Sequence, residues 1–430
     1  MLLGYGRNHI QLSLLEGVPS DTIAYRGYRH DPGIHPEVCT DEERLRLLEA
    51  LQQPYDSPLL RALAVKAQNA VILVSDITRL CPTHKFLPML LDELNAGGIA
   101  DDCIHVVVAL GAHRRLTDQE IRRLAGEEAY RRVSIVNHSA RSEDCSFIGV
   151  TSKGTPVEIN RIVAMADLRI ATGNIEPHRL VGMSGGVKAL VPGAASVKTI
   201  ESNHSLSSRY QITPGDPNNP IHQDLEEAQS MLPIHFLYNT VVDHQRKVLF
   251  AVSGNILEAH RRGVVAAKGY FLVPVHKSYD VVIASAGGYP KDMQLYQAIK
   301  TLQNASTICK PGGTIVLIAK CEELYGNGTF QTWAETWTDQ QKALDSLKET
   351  FVLGAHKLEH IHKVTKEKQV LLVSDVAAPQ AELLGFKPVY PDDCEQEIKK
   401  LLESFSSPEV AVMPCGSITF PVTGPSSASS

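Results

Sequence analysis

The segment GNIEPHRLVGMSGGVKALVPG, residues 173–193, concentrates reactive side chains in a mostly apolar stretch. It places an imidazole, His178, and a primary amine, Lys188, on either side of a glycine pair, and a second imidazole, His204, follows. Imidazoles transfer protons near neutral pH and bind metals. An amine that is buried in an apolar run is easily deprotonated and can then form a covalent bond. The segment therefore predicts proton transfer, metal binding or covalent attachment.

The tripeptide Ser184, Gly185 and Gly186 precedes this lysine. Glycines let the backbone approach a phosphate closely, and the N-terminus of a helix supplies N–H groups for an anion. The pattern resembles a phosphate-binding loop but lacks the GxxxxGK[ST] spacing. An ordinary turn would explain the same residues.

Other candidate residues follow short apolar runs that we interpret as strands. Asp76 and Arg79 follow VILVS, and His113 follows VVVALGA. In an open α/β sheet, ligands bind outside the carboxyl ends of the parallel strands, so we expect these residues to converge with those of segment 173–193. Each residue also has a simpler explanation: Asp76 could be a helix cap, Arg79 a surface cation and His113 a structural histidine.

A further cluster follows the glycine turn GGYP near residue 290. In the helical pattern after it, Gln297 and Lys300 are three residues apart and share a face, and Tyr296 adjoins them. An amide and a cation on one face would suit a carboxylate. A solvent-exposed helix face is the alternative.

The elements that position these residues are strands and helices in alternation. Continuous β-branched runs are typical of strands that are buried on both faces, as in parallel sheets. A capping box at Thr117 and Glu120 begins a helical pattern, and Leu295, Ile299 and Leu302 form one apolar stripe in another. The strand-like runs cover residues 69–79, 103–114, 165–178, 279–290, 312–320 and 368–375. We predict an α/β protein with mainly parallel, Rossmann-like sheets.

The length of 430 residues indicates two domains with a cleft between them. We place the candidates for covalent attachment, metal binding and proton transfer in an N-terminal α/β domain, residues 1–267. The helix after GGYP belongs to a predicted C-terminal α/β domain, residues 268–430. The connecting segment 244–269 is predicted to be helical. The tail from about residue 422 is predicted to be disordered.

Composition narrows the function classes. A net charge of −6 argues against nucleic acid as a partner, because nucleic acids select basic surfaces. The eight cysteines form no CxxC pair, and neither a signal peptide nor an apolar run of ~20 residues is visible, so we expect a cytoplasmic protein with reduced thiols and no membrane contact. The oligomeric state stays open, with a homo-oligomer among the alternatives.

The motifs SDITR, LGAHR, GNIEPHRLVGMSGGVKALVPG, NHS and GGYPKDMQLYQAIK, taken together, resemble the nickel-pincer lactate racemase family and its 2-hydroxyacid racemase and epimerase relatives. The resemblance runs from about residue 5 to about residue 375. It implies a cofactor, the nickel-pincer nucleotide, which is a nickel-bound pyridinium mononucleotide with sulfur-containing groups. Separate maturation enzymes would have to build this cofactor.

The resemblance also implies roles for individual residues. His113 and His178 match the family's acid–base pair on opposite faces of the substrate. Lys188 matches the lysine that is joined to the cofactor through a thioamide, and His204 matches the nickel ligand. The other matched positions are Asp76, Ser184, Gly185, Gly186 and Tyr296 for the cofactor and Arg79, Gln297 and Lys300 for the substrate.

The implied activity is racemisation or epimerisation of a small 2-hydroxy acid by reversible hydride transfer to the cofactor. Two alternatives remain: an oxidoreductase with exchangeable NAD, for which no GxGxxG fingerprint is present, and a non-catalytic cofactor carrier, which would not need the two histidines. The sequence does not distinguish lactate from malate, aromatic or sugar acids.

Overall fold

The computed structural model describes residues 1–29, 38–336 and 340–423. The chain divides into two compact units. Residues 29–269 form one of them, which we call the continuous unit. Residues 1–28 and those from 270 onward form the other, which we call the split unit.

The strands are β1 (Leu2–Tyr5), β2 (Asn8–Gln11), β3 (Ser20–Thr22), β4 (Ala70–Ser75), β5 (Ile104–Ala109), β6 (Ser134–Asn137), β7 (Cys145–Val150), β8 (Pro156–Asn160), β9 (Leu168–Asn174), β10 (Pro177–His178), β11 (Gly182–Met183), β12 (Phe236–Val242), β13 (Val248–Gly254), β14 (Leu272–Val275), β15 (Tyr279–Ser285), β16 (Cys309–Ile318), β17 (Gln369–Val373), β18 (Lys387–Val389), β19 (Val410–Met413) and β20 (Phe420–Thr423).

The α-helices are α1 (Asp41–Gln52), α2 (Leu60–Ala64), α3 (Thr83–Ala96), α4 (Asp118–Ala125), α5 (Glu127–Arg132), α6 (Arg161–Met165), α7 (Val197–Ser205), α8 (Pro220–Met231), α9 (Ile256–Phe271), α10 (Leu295–Ser306), α11 (Gly328–Thr336), α12 (Gln340–Glu349), α13 (His356–Thr365), α14 (Ala378–Leu383) and α15 (Cys394–Glu403).

The continuous unit is built on a sheet with the strand order β13-β12-β9-β4-β5-β6. Its strands are parallel except β13, which pairs antiparallel with β12. The central strand β4 is buried over its first five residues, and β9 is buried along its whole length. Burial on both faces explains why these strands appear in the sequence as continuous apolar runs.

The split unit is built on a parallel sheet with the strand order β18-β17-β16-β15-β19-β3. Alternate residues of β15 enter two different apolar layers: Val282 and Ala284 on one face, and Val281 and Ile283 on the other. Both layers are closed to solvent, as the alternation of side chains along a strand requires when both faces are covered.

Most of the predicted elements are confirmed. Each of the six strand-like runs coincides with most or all of a strand of the sheets; in order, these are β4, β5, β9, β15, β16 and β17. Thr117 and Glu120 form the predicted capping box, although the helical pattern breaks at Gly126 into α4 and α5. The stripe of Leu295, Ile299 and Leu302 is fully buried on α10.

The segment 1–28 differs from the prediction, because it packs with the C-terminal part of the chain. Strand β3 extends the sheet of the split unit by pairing with β19. The β1–β2 hairpin is also held there: Gly6 donates its N–H to Oδ2 of the buried Asp292 at 2.6 Å, and its carbonyl accepts from Tyr289 N at 2.8 Å. The later division, at residues 269 and 270, lies next to the predicted boundary.

The prediction of a wholly helical segment 244–269 is wrong. Its first half contains β13, which completes an antiparallel pair with β12, and only its second half belongs to α9. The short apolar run VLFAV fits both the helical and the strand period of hydrophobic residues. It forms a strand because it can pair with β12 at the edge of the sheet. The predicted disordered tail lies, after residue 423, outside the described residues.

Two further findings concern the described part of the chain. All eight cysteines lie in it and are free thiols, as predicted. Within the same residues, none of the helices has both the length and the apolar character that a membrane span requires.

Candidate active site

Polar residues follow the carboxyl ends of three neighbouring parallel strands, β9, β4 and β5. Asp76 follows β4 directly, His113 follows β5 after a short turn, and Glu176 follows β9. Because these strands run in the same direction, their carboxyl ends share one edge of the sheet. The predicted convergence of Asp76 with His113 is confirmed by a direct hydrogen bond between them.

His113 Nδ1 lies 2.9 Å from Asp76 Oδ2. Asp76 is only 3% exposed, and its other oxygen accepts the backbone N–H of Thr78 at 2.7 Å. Burial alone would raise the pKa of the Asp76 carboxyl, but His113, with Arg79 and Thr78, holds this pKa well below its usual range. An ionised Asp76 only accepts, so His113 carries a proton on Nδ1, and in the neutral form of the ring the lone pair is on Nε2. Asp76 is thus the partner of His113, and the alternative of a helix cap is wrong, because α3 begins at Thr83 with Pro82 at its N-cap position.

His178 is in the opposite tautomer. Its Nδ1 accepts the backbone N–H of Leu180 at 3.2 Å, so the neutral ring carries its proton on Nε2. The residue lies in the two-residue strand β10, which pairs with β11, and its side chain is partly buried. The neutral forms of the two histidines therefore differ in tautomer: the proton is on Nδ1 in His113 and on Nε2 in His178.

Hydrogen bonds fix the loop between β9 and Lys188. Ser184 Oγ accepts the N–H of Glu176 at 2.8 Å and donates to the carbonyl of Asn174 at 2.9 Å. The N–H of Gly186 donates to Oδ1 of the buried Asn239 at 2.8 Å. These contacts are internal to the protein, so they position the loop, and the assignment of Ser184, Gly185 and Gly186 to a cofactor stays a prediction.

The requirement for glycine in this loop comes from the protein interior. Gly185 has φ +75° and Gly186 has φ +56°. A Cβ at Gly185 would lie 2.6 Å from Asn239 Oδ1, and one at Gly186 would lie 2.8 Å from the ring of His260. Residues 186–189 form a single 3₁₀ turn. The prediction of a helix N-terminus behind the glycines is therefore wrong.

Lys188 sits in this 3₁₀ turn with an unusual charge state. Burial, with added repulsion from Arg79, lowers the pKa of its ammonium to about 7, while the Glu176 carboxylate offsets part of the shift. A large fraction of the amine is then neutral at physiological pH and able to attack an electrophile. Lys188, Arg79 and Glu176 thus belong to one electrostatic neighbourhood.

The remaining candidates lie elsewhere. His204 is partly buried in the last turn of α7, in the continuous unit. Tyr296, Gln297 and Lys300 lie on α10, in the split unit. Gln297 is only 2% exposed, so the alternative of a solvent-exposed face is wrong for this residue. The ammonium of Lys357 lies 4.6 Å from the centroid of the Tyr296 ring, a cation–π contact.

Comparison with known proteins decides the family. The family model for the lactate racemase N-terminal domain matches residues 30–213, and the model for the lactate racemase C-terminal domain matches residues 275–416. The chain belongs to the lactate racemase family. The resemblance inferred from the motifs is thereby confirmed.

Two members of the lactate racemase family are similar to this chain over most of their length. The lactate racemase of Thermoanaerobacterium thermosaccharolyticum is 35% identical over 353 residues, which are 78% of this chain and 82% of the relative. The lactate racemase of Lactiplantibacillus plantarum is 32% identical over 357 residues, 80% of this chain and 83% of the relative.

Solved structures agree with this assignment. The lactate racemase apoprotein from Thermoanaerobacterium thermosaccharolyticum superimposes with a TM-score of 0.85 at 28% identity, covering 98% of this chain and 99% of that one. A Thermotoga maritima protein shares the fold, with a TM-score of 0.67 at 17% identity, over 92% of this chain and 100% of that one. The predicted α/β fold and the predicted enzyme class, a racemase-type isomerase, are confirmed.

The donor set available for a metal in this member of the lactate racemase family is sparse. Among the described residues, no group of three or more His, Cys, Asp or Glu side chains could hold a metal ion. A metal bound by a single imidazole needs its other ligands from a bound molecule. The imidazole of His204, in the last turn of α7, is a donor type that suits nickel.

The sequence analysis missed three residues that support the Lys188 loop: Asn239, His222 and His260. Asn239 lies in the middle of the buried strand β12, and the two histidines lie on α8 and α9. Each looks like an ordinary polar residue within a regular element. A possible signal was the complete burial of β12, which requires a partner for an internal amide.

Proposed function

We propose that this protein is a nickel-dependent racemase or epimerase of a small 2-hydroxy acid and that it uses a nickel-pincer nucleotide joined to Lys188. Lactate is the first substrate to test, because both similar relatives are named lactate racemase. These names also favour the isomerase over the NAD-dependent oxidoreductase and the cofactor carrier.

The observation that carries the proposal is the pair of histidines in complementary tautomers. Inverting a 2-hydroxy acid requires one group that takes the hydroxyl proton and another that returns a proton from the opposite face. In the neutral form of His113, Nε2 has a lone pair, because Nδ1 donates to Asp76. His178 Nε2 has a proton, because Nδ1 accepts from Leu180. The pair is suited to removing a proton at one imidazole and supplying one at the other.

Lys188 fits the tether. A covalent bond to an acyl-type carbon requires a neutral amine, and the surroundings of Lys188 lower its pKa to about 7. The bound cofactor would supply a pyridinium ring that takes up and returns a hydride, chemistry that no side chain can provide. His204 would complete the nickel coordination. Separate maturation enzymes would act as partners that supply the cofactor.

Substrate binding is assigned to a few polar residues. The Arg79 guanidinium lies in the neighbourhood of Asp76 and Lys188 and would hold the substrate carboxylate. Gln297 and Lys300 share one face of α10 and are proposed to contribute an amide and a cation to the same task, with Tyr296 beside them.

The test is a racemisation assay on protein that is produced together with the cofactor-building enzymes. Single enantiomers of lactate, malate, an aromatic 2-hydroxy acid and a sugar acid would be incubated separately and analysed by chiral chromatography. Appearance of the opposite enantiomer or epimer from at least one of them, dependent on nickel, is the expected result. Nickel-loaded protein that inverts none of these acids would refute the proposed reaction.

A further inference from the structure

Two buried histidines outside the proposed catalytic set lie against the loop that carries Lys188. His222 on α8 is 0% exposed, and His260 on α9 is 1% exposed. Their rings are stacked, with centroids 5.4 Å apart and an angle of 10° between the planes. Two imidazoles without contact to water require a defined set of hydrogen bonds.

The tautomer of His260 follows from its partners. Its Nε2 lies 2.9 Å from the carbonyl oxygen of Ser184, which can only accept, so Nε2 carries the proton. Its Nδ1 lies 3.4 Å from a guanidinium nitrogen of Arg261, which can only donate, so Nδ1 carries the lone pair. His260 is therefore a neutral ring that donates to the loop.

His222 has the other tautomer. Its Nδ1 donates to the carbonyl oxygen of Val181 at 3.1 Å. Its Nε2 has no hydrogen-bond partner among the described residues; Oε1 of Glu226 lies 3.5 Å from this atom and is paired with Arg261. Burial, with repulsion from Arg261, lowers the pKa of His222 to about 2, so this ring is neutral as well.

The N–H groups of His222 and His260 bind the loop at two points. His222 holds the carbonyl of Val181 and His260 holds that of Ser184, on either side of β11. The His260 ring also lies directly behind Gly186, where a Cβ would approach it to 2.8 Å. The 3₁₀ turn with Lys188 begins at this glycine. Both hydrogen bonds are therefore made to the segment that leads into the turn with Lys188.

We propose that His222 and His260 are positioning residues for Lys188: as neutral, stacked donors to the carbonyls of Val181 and Ser184, they hold the loop so that the amine stays in its desolvated place. The proposal rests on the proposed function of Lys188 as the tether. It deepens that function by assigning the support of the tether to two residues that take no part in proton transfer with the substrate.

Because the two histidines have opposite tautomers, replacing each by Gln and by Asn should give opposite results at the two positions. The amide nitrogen of Gln can take the position of Nε2 in histidine, and that of Asn can take the position of Nδ1. His260→Gln and His222→Asn therefore keep the donor, whereas His260→Asn and His222→Gln lose it. His105→Gln, at an exposed position on β5, serves as the control for removing a histidine.

The readout is the acylation rate of Lys188 in the cofactor-free protein at pH 7, determined by peptide mass spectrometry relative to the exposed Lys66. We expect wild-type-like labelling of Lys188 in His260→Gln, His222→Asn and His105→Gln. The two donor-free variants should lose reactivity on the order of fivefold, the loss expected from one hydrogen bond. Thermal unfolding would show that each variant is folded.

The proposal is overturned if Gln and Asn behave alike at both positions, because the imidazoles would then only fill space. Where a donor-free variant does not fold, its donor-retaining counterpart decides: wild-type labelling supports the role, and loss of labelling in a folded protein refutes it. The mass of wild-type protein produced with the maturation enzymes tests the tether separately. A missing adduct refutes the proposed function, whereas the labelling pattern bears only on the positioning role.

Discussion

The Nδ1 atom of His113 lies 2.9 Å from the Oδ2 atom of the buried Asp76, at the adjoining ends of two parallel strands. This contact places a proton on Nδ1, so the neutral form of the imidazole has its lone pair on Nε2. His178 is fixed in the opposite tautomer by the N–H of Leu180. The two imidazoles are thus held in opposite tautomers, which is the arrangement on which their proposed acid–base roles depend.

Asp76→Asn should reduce racemisation per loaded enzyme by about 10²- to 10⁴-fold, the usual contribution of acid–base catalysis. An amide at this position can donate to His113 Nδ1 and would favour the tautomer with the proton on Nε2. Thr78→Val is the matched control, since it removes the hydroxyl contact to Asp76 and keeps the carboxylate–imidazole pair. Equal activity of Asp76→Asn and wild type would refute the role of this pair.

His178→Ala should abolish inversion while nickel and the Lys188 adduct are retained, because the side chain is assigned to proton transfer and not to metal binding. The check is chiral analysis of the product combined with metal content and intact mass. Full racemisation by this variant would show that another group supplies the second proton. Loss of nickel instead would mean that His178 contributes to the metal site.

Lys188 should react with acylating reagents with a pH midpoint near 7 in the cofactor-free protein, compared with about 10.4 for an unperturbed lysine. Below the midpoint the amine is protonated and unreactive; above it the amine is neutral. Arg79→Ala removes repulsion and should move the midpoint up, whereas Glu176→Gln removes attraction and should move it down. Shifts in the same direction would contradict the assigned electrostatics.

Arg79→Ala should also weaken the handling of the substrate in loaded enzyme, raising KM more than it lowers kcat, because the guanidinium is assigned to the carboxylate. Steady-state kinetics on the accepted 2-hydroxy acid would test this. Unchanged kinetics would exclude Arg79 from the substrate site, and a change confined to kcat would place its role in the chemical step.

Gly186→Ala should destabilise the protein by more than a change of backbone conformation alone. At a positive φ, alanine costs about 1 kcal/mol, and an overpacked contact adds about 1–3 kcal/mol. The added Cβ would lie 2.8 Å from the His260 ring. Gly154→Ala is the matched control, with φ +85° and no atom within 4 Å. Equal losses of unfolding free energy in the two variants would show that the His260 ring moves aside without a measurable loss of stability.

The strand-end residues were predictable from the sequence because buried parallel strands leave a clear signal. Asp76 and His113 each follow a continuous apolar run, and the topology of a parallel sheet brings such positions together. Asn239 and His260 gave no such signal, since they lie within a regular strand and a regular helix, and their importance comes from packing against a loop that is distant in sequence.

The domain assignment of segment 1–28 could not be predicted from local sequence patterns. Strand β3 is three residues long, and its partner β19 lies near the other end of the chain. A short strand has too few residues to show a period, and a pairing across nearly the whole sequence leaves no local pattern. The same weakness of short apolar runs explains why β13 was predicted as helix.

The central claim is that Lys188 carries a nickel-bound nucleotide. Intact-protein mass, peptide mapping and nickel content, measured on protein produced together with the cofactor-building enzymes, test it most directly. The account predicts an adduct of mononucleotide size on Lys188 together with bound nickel, and its loss in Lys188→Ala. An unmodified Lys188 in a nickel-free protein under these conditions would contradict the account.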